Sequence, residues 1–336
     1  MIVNVGLRRG VASALSQLSF NADMTAIDLD SRITATRAST KTYFNSSGTL
    51  TLAAIDEFPA EYDPVTLQPR GRSIWEARTN LLLNSLLDGT NLATQNVTVA
   101  AIPYTLSFYG TGTVTLSGVF AGALVGSGAF PTISTLTFTP AAGALTCTVT
   151  GTVQFANIEA GSFSTAFIPT AGATATRSAD IMTVTGANFN SWYNQLEGTF
   201  MAEYMTNKPN GVGNNSNIFS ANDTTAMELV RGFINAAGVI NNRITAGGVS
   251  YNPANTATQN NMAFNKYALA YGIGTNKGIA CLNGATPSLS SPLATPVNTR
   301  LQFGSNAAGE ILNGWIRTLK YWRTRLPDTT IQSITL

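Results

Sequence analysis

The chain contains no histidine. A Ser-His-Asp triad, a Cys-His nucleophile and a His-ligated zinc site are therefore all excluded. What remains for catalysis is a carboxylate pair, or a lysine or tyrosine base. Glu197 and Glu203 share strand parity, so both side chains point the same way. At about 3.3 Å per residue they stand roughly 20 Å apart, too far for either glycosidase geometry. Glu203 facing Glu228 across strands has no pattern behind it. No catalytic residue, metal ligand or cofactor is expected, and the chain reads as non-enzymatic.

Recognition chemistry is better represented. Asn207–Asn217 and Tyr251–Asn261 are rich in asparagine, interrupted by Gly and Pro. Each amide offers both a donor and an acceptor, which suits a hydroxyl-rich ligand. Asn214, Asn215, Tyr251 and Asn255 are the ligand-binding candidates, against the plainer reading of solvated loops. Trp315, Tyr321 and Trp322 lie within strand patterns and read as core. Trp192 and Tyr193 precede a strand and suit either a rim or the core.

The elements carrying these residues are β-strands. Only 11% of the 336 residues are charged, while Gly numbers 30 and Pro 13. That mixture predicts an all-β chain of short strands and tight turns. The formal charge of +2 comes with no basic cluster, so nucleic acid is not an expected partner. No apolar run is long enough to span a membrane. Met1–Arg9 is too short and too lightly apolar for a secretory signal, so release by lysis, inside a particle, is expected. Cys147 and Cys281 fall in different predicted domains and read as free thiols of a reducing cytoplasm.

Charge divides the chain. Residues 81–176 hold no Lys or Arg, and only Asp88 and Glu159 are acidic. Period-two alternation at Tyr104–Phe108, Val114–Gly118, Thr135–Thr139, Leu145–Thr150 and Thr152–Asn157 predicts a sandwich of about eight short strands, with breaks at Pro131 and Pro140. Its uncharged surface favours self-association, with Val119 and Leu124 as interface candidates. After Ala179 the strands lengthen. Gly198–Tyr204, Met227–Val230, Gly238–Ile244, Tyr267–Tyr271, Gly278–Leu282 and Leu312–Trp322 follow one another. Ahead of both lies Met1–Leu29, with apolar residues at helical spacing over Val11–Leu18; a short amphipathic helix and an extended arm are both consistent with it.

The least generic text is Arg37–Ser85. Asn45-Ser46-Ser47-Gly48 predicts a hairpin between Thr42–Asn45 and Thr49–Ala53, with further turns at Asp63-Pro64 and Pro69-Arg70-Gly71. The ordered words RASTKTYFNSSG, EYDPVTLQPRG and EARTNLLLNS resemble a segment of tailed-bacteriophage virion proteins: head fibres, head spikes and tail-fibre-like adhesins. Arg72–Trp75 departs from that pattern, which is more aliphatic there. Val153–Phe163 and Phe167–Thr170 resemble the carbohydrate-binding-module sandwiches found beside that segment, which lead on through a TRSAD link, here Thr176–Asp180. Tyr267–Gly272, Gly278–Ala285, Arg300–Ser305 and Leu312–Thr335 resemble a concanavalin A-like or laminin-G-like jelly roll.

The resemblance implies an N-terminal extended arm (1–84) followed by two antiparallel β-sandwich, jelly-roll-like domains (85–172 and 173–336). It implies a virion-surface protein assembled in the host cytoplasm and attached to other virion proteins through residues 1–80. Such fibres are usually homotrimers, and the tip of this one would meet host-surface glycan. The competing roles are a capsid decoration protein that braces its neighbours and, last, a polysaccharide depolymerase.

Overall fold

The computed structural model describes residues 18–251, 257–275, 277–285, 288–290 and 294–336. Asn255, Arg8, Arg9 and nearly all of Val11–Leu18 lie outside the described residues. The architecture is all-β and antiparallel, with two short helices, Gly186–Asn190 and Asp328–Ile334, among the described residues. It forms two compact units, each assembled from separate stretches: 36–69 with 75–180, and 1–35 with 70–74 and 181–336.

The first unit is the charge-poor sandwich with its own flanks. One sheet runs Gly122–Val125, Thr113–Gly118, Gly143–Thr150, Gln95–Val99; the other runs Gly128–Phe138, Tyr104–Gly110, Gln154–Ala160. Alternation decides the faces. Val114, Leu116, Leu145 and Cys147 turn inward and are buried, while Thr115 and Thr148, opposite each other, are exposed. Pro131 does not end a strand. It sits within Gly128–Phe138 at an irregularity in the register, and that strand is an edge, where a missing N–H is tolerated.

The predicted hairpin is present as Lys41–Phe44 paired with Leu50–Ala53. Asn45 Oδ1 accepts from the Ser47 and Thr49 amides at 3.0 Å each and so closes the turn. Within the TRSAD link, Arg177 and Asp180 are buried. Asp180 accepts from Arg37 Nη1 at 3.1 Å, Lys41 Nζ at 3.2 Å and the Trp75 amide at 2.9 Å. Asn80 is likewise fully used. Its amide donates to the Ala156 and Ile168 carbonyls, and its Oδ1 accepts from the Leu82 and Ile158 amides.

The second unit is a two-sheet sandwich. Its larger sheet runs Ser288–Ser290, Gly278–Leu282, Asn265–Tyr271, Gly198–Thr206, Gly314–Trp322, Pro69–Ile74, and Leu18–Asp23 also pairs with Gly314–Trp322. The N-terminal segment is thus not a separate arm from residue 18 onward; strand pairing claims it. Pro69-Arg70-Gly71 opens a strand instead of making a turn. A Cβ at Gly71 would come within 2.1 Å of the Ile316 carbonyl, so glycine permits the pairing of Arg72 with Ile316. Between the sheets lies an aromatic core in which Phe200 stacks on Phe219 and Tyr193 on Tyr321, with ring centroids 4.6 and 5.3 Å apart.

Candidate functional site

The second sheet of this unit runs Thr34–Thr36, Ile181–Thr185, Arg300–Phe303, Ser216–Asn222, Leu229–Ile234, Ile240–Ala246, Val249–Tyr251. Its inward set includes Val230, Gly232, Ile234, Ile240 and Ile244. Gly232 is required because a Cβ there would meet the Tyr267 ring at 2.2 Å. The opposite parity carries two polar rows across the strands. One is Thr183, Gln302, Ser220, Arg231, Arg243, each residue paired with the next. The other is Thr185, Arg300, Asn222, Leu229, Thr245, Ser250.

Hydrogen bonds join the rows. Asn222 Nδ2 donates to Gln302 Oε1 at 2.8 Å and to Ser220 Oγ at 3.0 Å, and Arg300 Nε donates to Asn222 Oδ1 at 2.8 Å. The Thr245 and Ser250 hydroxyls lie 3.0 Å apart. Ser220, Asn222 and Gln302 form a buried floor, while Arg243, Arg300 and Asn241 are half-buried and reach solvent. Such a floor holds its side chains in fixed geometry, which is what a recognition surface needs.

At one end of this face sits a charged cluster. The Arg231 guanidinium lies 4.0 Å from the centre of the Phe233 ring and donates through Nη1 to Glu310 Oε2. Glu310 also accepts from Asn215 Nδ2 at 2.9 Å and from Asn306 Nδ2. Burial pushes the Glu310 carboxyl up, but Arg231 and the two amides outweigh it and hold it below the ordinary value. Burial lowers Arg231, opposed by Glu310 and reinforced by Arg243.

Of the sequence candidates, Asn215 therefore belongs to this cluster. Asn214 is exposed, and its carbonyl accepts from the Lys208 ammonium. Tyr251 is half-buried on the edge strand, opposite Ile244 and so on the other parity from the polar rows. The two Asn-rich loops do meet. The Asn210 amide donates to Asn261 Oδ1 at 3.2 Å, and Gln259 Nε2 to Asn210 Oδ1 at 3.0 Å.

Trp192, Tyr193, Trp315, Tyr321 and Trp322 are all buried, so none offers a stacking platform. Glu203 pairs with Arg317 at 2.6 Å, and the Glu228 carboxylate caps the Gly247 and Val297 amides. Asp30 of Asp28-Leu29-Asp30 pairs with Arg32, also at 2.6 Å, and no group of three or more metal-ligating side chains occurs among the described residues. Leu124 is buried in the core of its own sandwich, and Val119 packs partly against that core. Leu124 is thus enclosed, and Val119 keeps part of its surface exposed.

The first unit has an open cleft of about 570 Å³ beside Leu81, Ile102, Pro103 and Tyr104. Glu76 and Arg78, which line it, pair at 2.5 Å, and Arg78 lies 4.8 Å from the centre of the Phe163 ring. Its charges are spent internally.

No family model matches the chain, and no curated protein does. Among solved structures the chain is similar to the CBM40 domain of the Ruminococcus gnavus IT-sialidase bound to α2,3-sialyllactose, at 16% identity and TM-score 0.35, over 43% of this chain and 84% of that one. It is similar to the NanB sialidase of Streptococcus pneumoniae at 14% identity and TM-score 0.37, over 46% of this chain and 26% of that one. The binding domain of botulinum neurotoxin DC in complex with SialylT gives 12% identity and TM-score 0.37, over 47% of this chain and 39% of that one. Likenesses this weak leave ligand and role to the chain's own residues.

Proposed function

We propose that the chain is a non-enzymatic bacteriophage virion protein, a surface fibre or spike whose C-terminal sandwich binds glycan on the host. The observation that carries the binding is the pair of polar rows. Amides, hydroxyls and guanidinium groups gather on one face of one sheet, supplying donors and acceptors fixed in position for a hydroxyl-rich ligand. A binding rather than hydrolytic role is supported by the employment of Glu203 and Glu228 in structural contacts. The virion assignment is supported by the words of Arg37–Ser85 and Thr176–Asp180. The exposed, uncharged Thr115 and Thr148 of the first unit support packing against further copies in a trimer.

The test uses the full chain on host cells and on their purified surface polysaccharide. Asn241→Ala, at a half-buried position beside the rows, should weaken adsorption several-fold with an unchanged melting temperature. Polysaccharide chain length should not change on incubation. Shortening by the pure protein would refute the non-enzymatic reading. Equal adsorption of the two forms would leave a decoration protein that braces its neighbours.

A further inference from the structure

The charged end of the polar face breaks a rule of sheet construction. Arg231 and Arg243 stand directly opposite each other on neighbouring strands, Leu229–Ile234 and Ile240–Ala246. Like charges in that position repel and destabilise the pair. One carboxylate, Glu310, lies at this cluster, and it is engaged by Arg231, Asn215 and Asn306. Arg243 has no acceptor among the described residues, and the Nε atoms of both arginines are buried with no partner. The Arg231 side chain is 7% exposed, so water does not replace the missing acceptor freely. Local conflicts of this kind concentrate where a ligand resolves them.

We propose that Arg231 and Arg243 form the acidic subsite of the glycan-binding face, taking the carboxylate of an acidic saccharide such as a uronic acid. This rests on the glycan-binding reading and narrows its ligand class. A guanidinium presents parallel N–H donors that match the two oxygens of a carboxylate. The guanidinium of Arg243, which has no acceptor among the described residues, supplies that pair, and Arg231 stands directly opposite it on the neighbouring strand. Phe233 beneath Arg231 and Glu310 beside it hold one wall of the subsite in place. The neighbouring amide of Asn241 and the rows beyond it would take the sugar hydroxyls.

The experiment compares the full chain with Arg243→Gln. The probes are oligogalacturonate, the same oligosaccharide after carboxyl reduction, and dextran sulfate, with affinity read by calorimetry and stability by thermal melting. Wild type should prefer oligogalacturonate to its reduced form by roughly ten- to hundredfold, as expected for charge-assisted hydrogen bonds. Arg243→Gln should erase that preference without lowering the melting temperature, because it also removes the repulsion from Arg231. A merely structural Arg243 would show the reverse, a lower melting temperature and an unchanged preference. Equal binding of the acidic and reduced forms by both proteins overturns the subsite and leaves glycan binding intact. Binding of dextran sulfate alone overturns the carboxylate class. Binding of none of the three overturns the subsite, while adsorption to host cells judges the broader reading separately.

Discussion

Replacing Asp180 with asparagine keeps the side chain's shape and removes the charge shared by Arg37 and Lys41. All three side chains are at most 2% exposed. Arg37 keeps the carbonyls of Ser39, Ala54 and Glu57 as acceptors, while Lys41 loses its bond to Asp180 and keeps the attraction of Glu61. Breaking a buried pair from one side costs about 3–5 kcal/mol. For a unit of this size that lowers the melting temperature by roughly 10–20 °C. Burial already lowers the Lys41 ammonium below its usual 10.5, against the pull of Asp180. With a depressed folded value the unfolded chain binds more protons, so this group's contribution improves as pH rises toward 10.5. Asp180→Asn should therefore regain stability between pH 7 and 9.5, measured by urea unfolding. The double variant Lys41→Met with Asp180→Asn should recover most of the loss at neutral pH. A loss below about 1 kcal/mol, the value of a solvated pair, or no recovery in the double variant, would refute the reasoning.

Leu124→Glu should unfold the first unit, since burying an unpaired carboxylate in that core is costly, whereas Thr115→Lys with Thr148→Lys should leave it folded and dissociate the proposed trimer; circular dichroism and mass photometry separate the two. Deleting residues 1–29 should lower the melting temperature of the second unit, because it removes the strand Leu18–Asp23 and the stacking of Phe20 on Trp192 at 4.4 Å. Burial raises the Glu159 carboxyl above its usual 4.5, against Thr165 and Arg177. Its contribution is therefore fully present below pH 4.5 and lost as pH rises through the folded value, so wild type should gain on Glu159→Gln between pH 8 and pH 4.5.

Much of the fold was legible because strand alternation survives wherever one face is buried and the other wet. Thr113–Gly118 and Gly143–Thr150 read directly from sequence for that reason. The polar face was missed at a glycine. The expected strand stopped at Val230, yet Leu229–Ile234 continues through Gly232, which gives room to the Tyr267 ring. Carried two residues further, the same alternation places Arg231 outward beside Arg243, and a charge within an apolar strand of a charge-poor chain was the available signal. The Asn-rich loops were visible by composition, but only Asn215 reaches the charged cluster, and no local pattern reports a contact with Glu310, 95 residues away.

The absence of Lys and Arg from residues 81–176 suggests bounds of 85–172, whereas the compact unit comprises 36–69 with 75–180. That sandwich is not without ions; besides its own Glu159, it takes buried ions from its flanks. Arg37 and Lys41 arrive from before it and Arg177 and Asp180 from after it, all nearly fully buried. Arg177 donates to the Thr165 hydroxyl at 3.1 Å and to the Glu76 carbonyl at 2.7 Å, and Thr42 donates to the Phe167 carbonyl at 2.6 Å. Asn80 alone satisfies backbone groups of Ala156, Ile158 and Ile168, which would otherwise be buried without partners at about 1–3 kcal/mol each. A fragment of residues 85–172 lacks every one of these groups, and their summed loss rivals the whole stability of a small domain. Residues 36–180 contain them all. The shorter fragment should therefore give a broad, non-cooperative urea transition and bind a hydrophobic dye, and the longer one a single sharp transition. A cooperative transition in residues 85–172 would show that the sandwich folds on its strands alone and that the buried ions of its flanks are ornament.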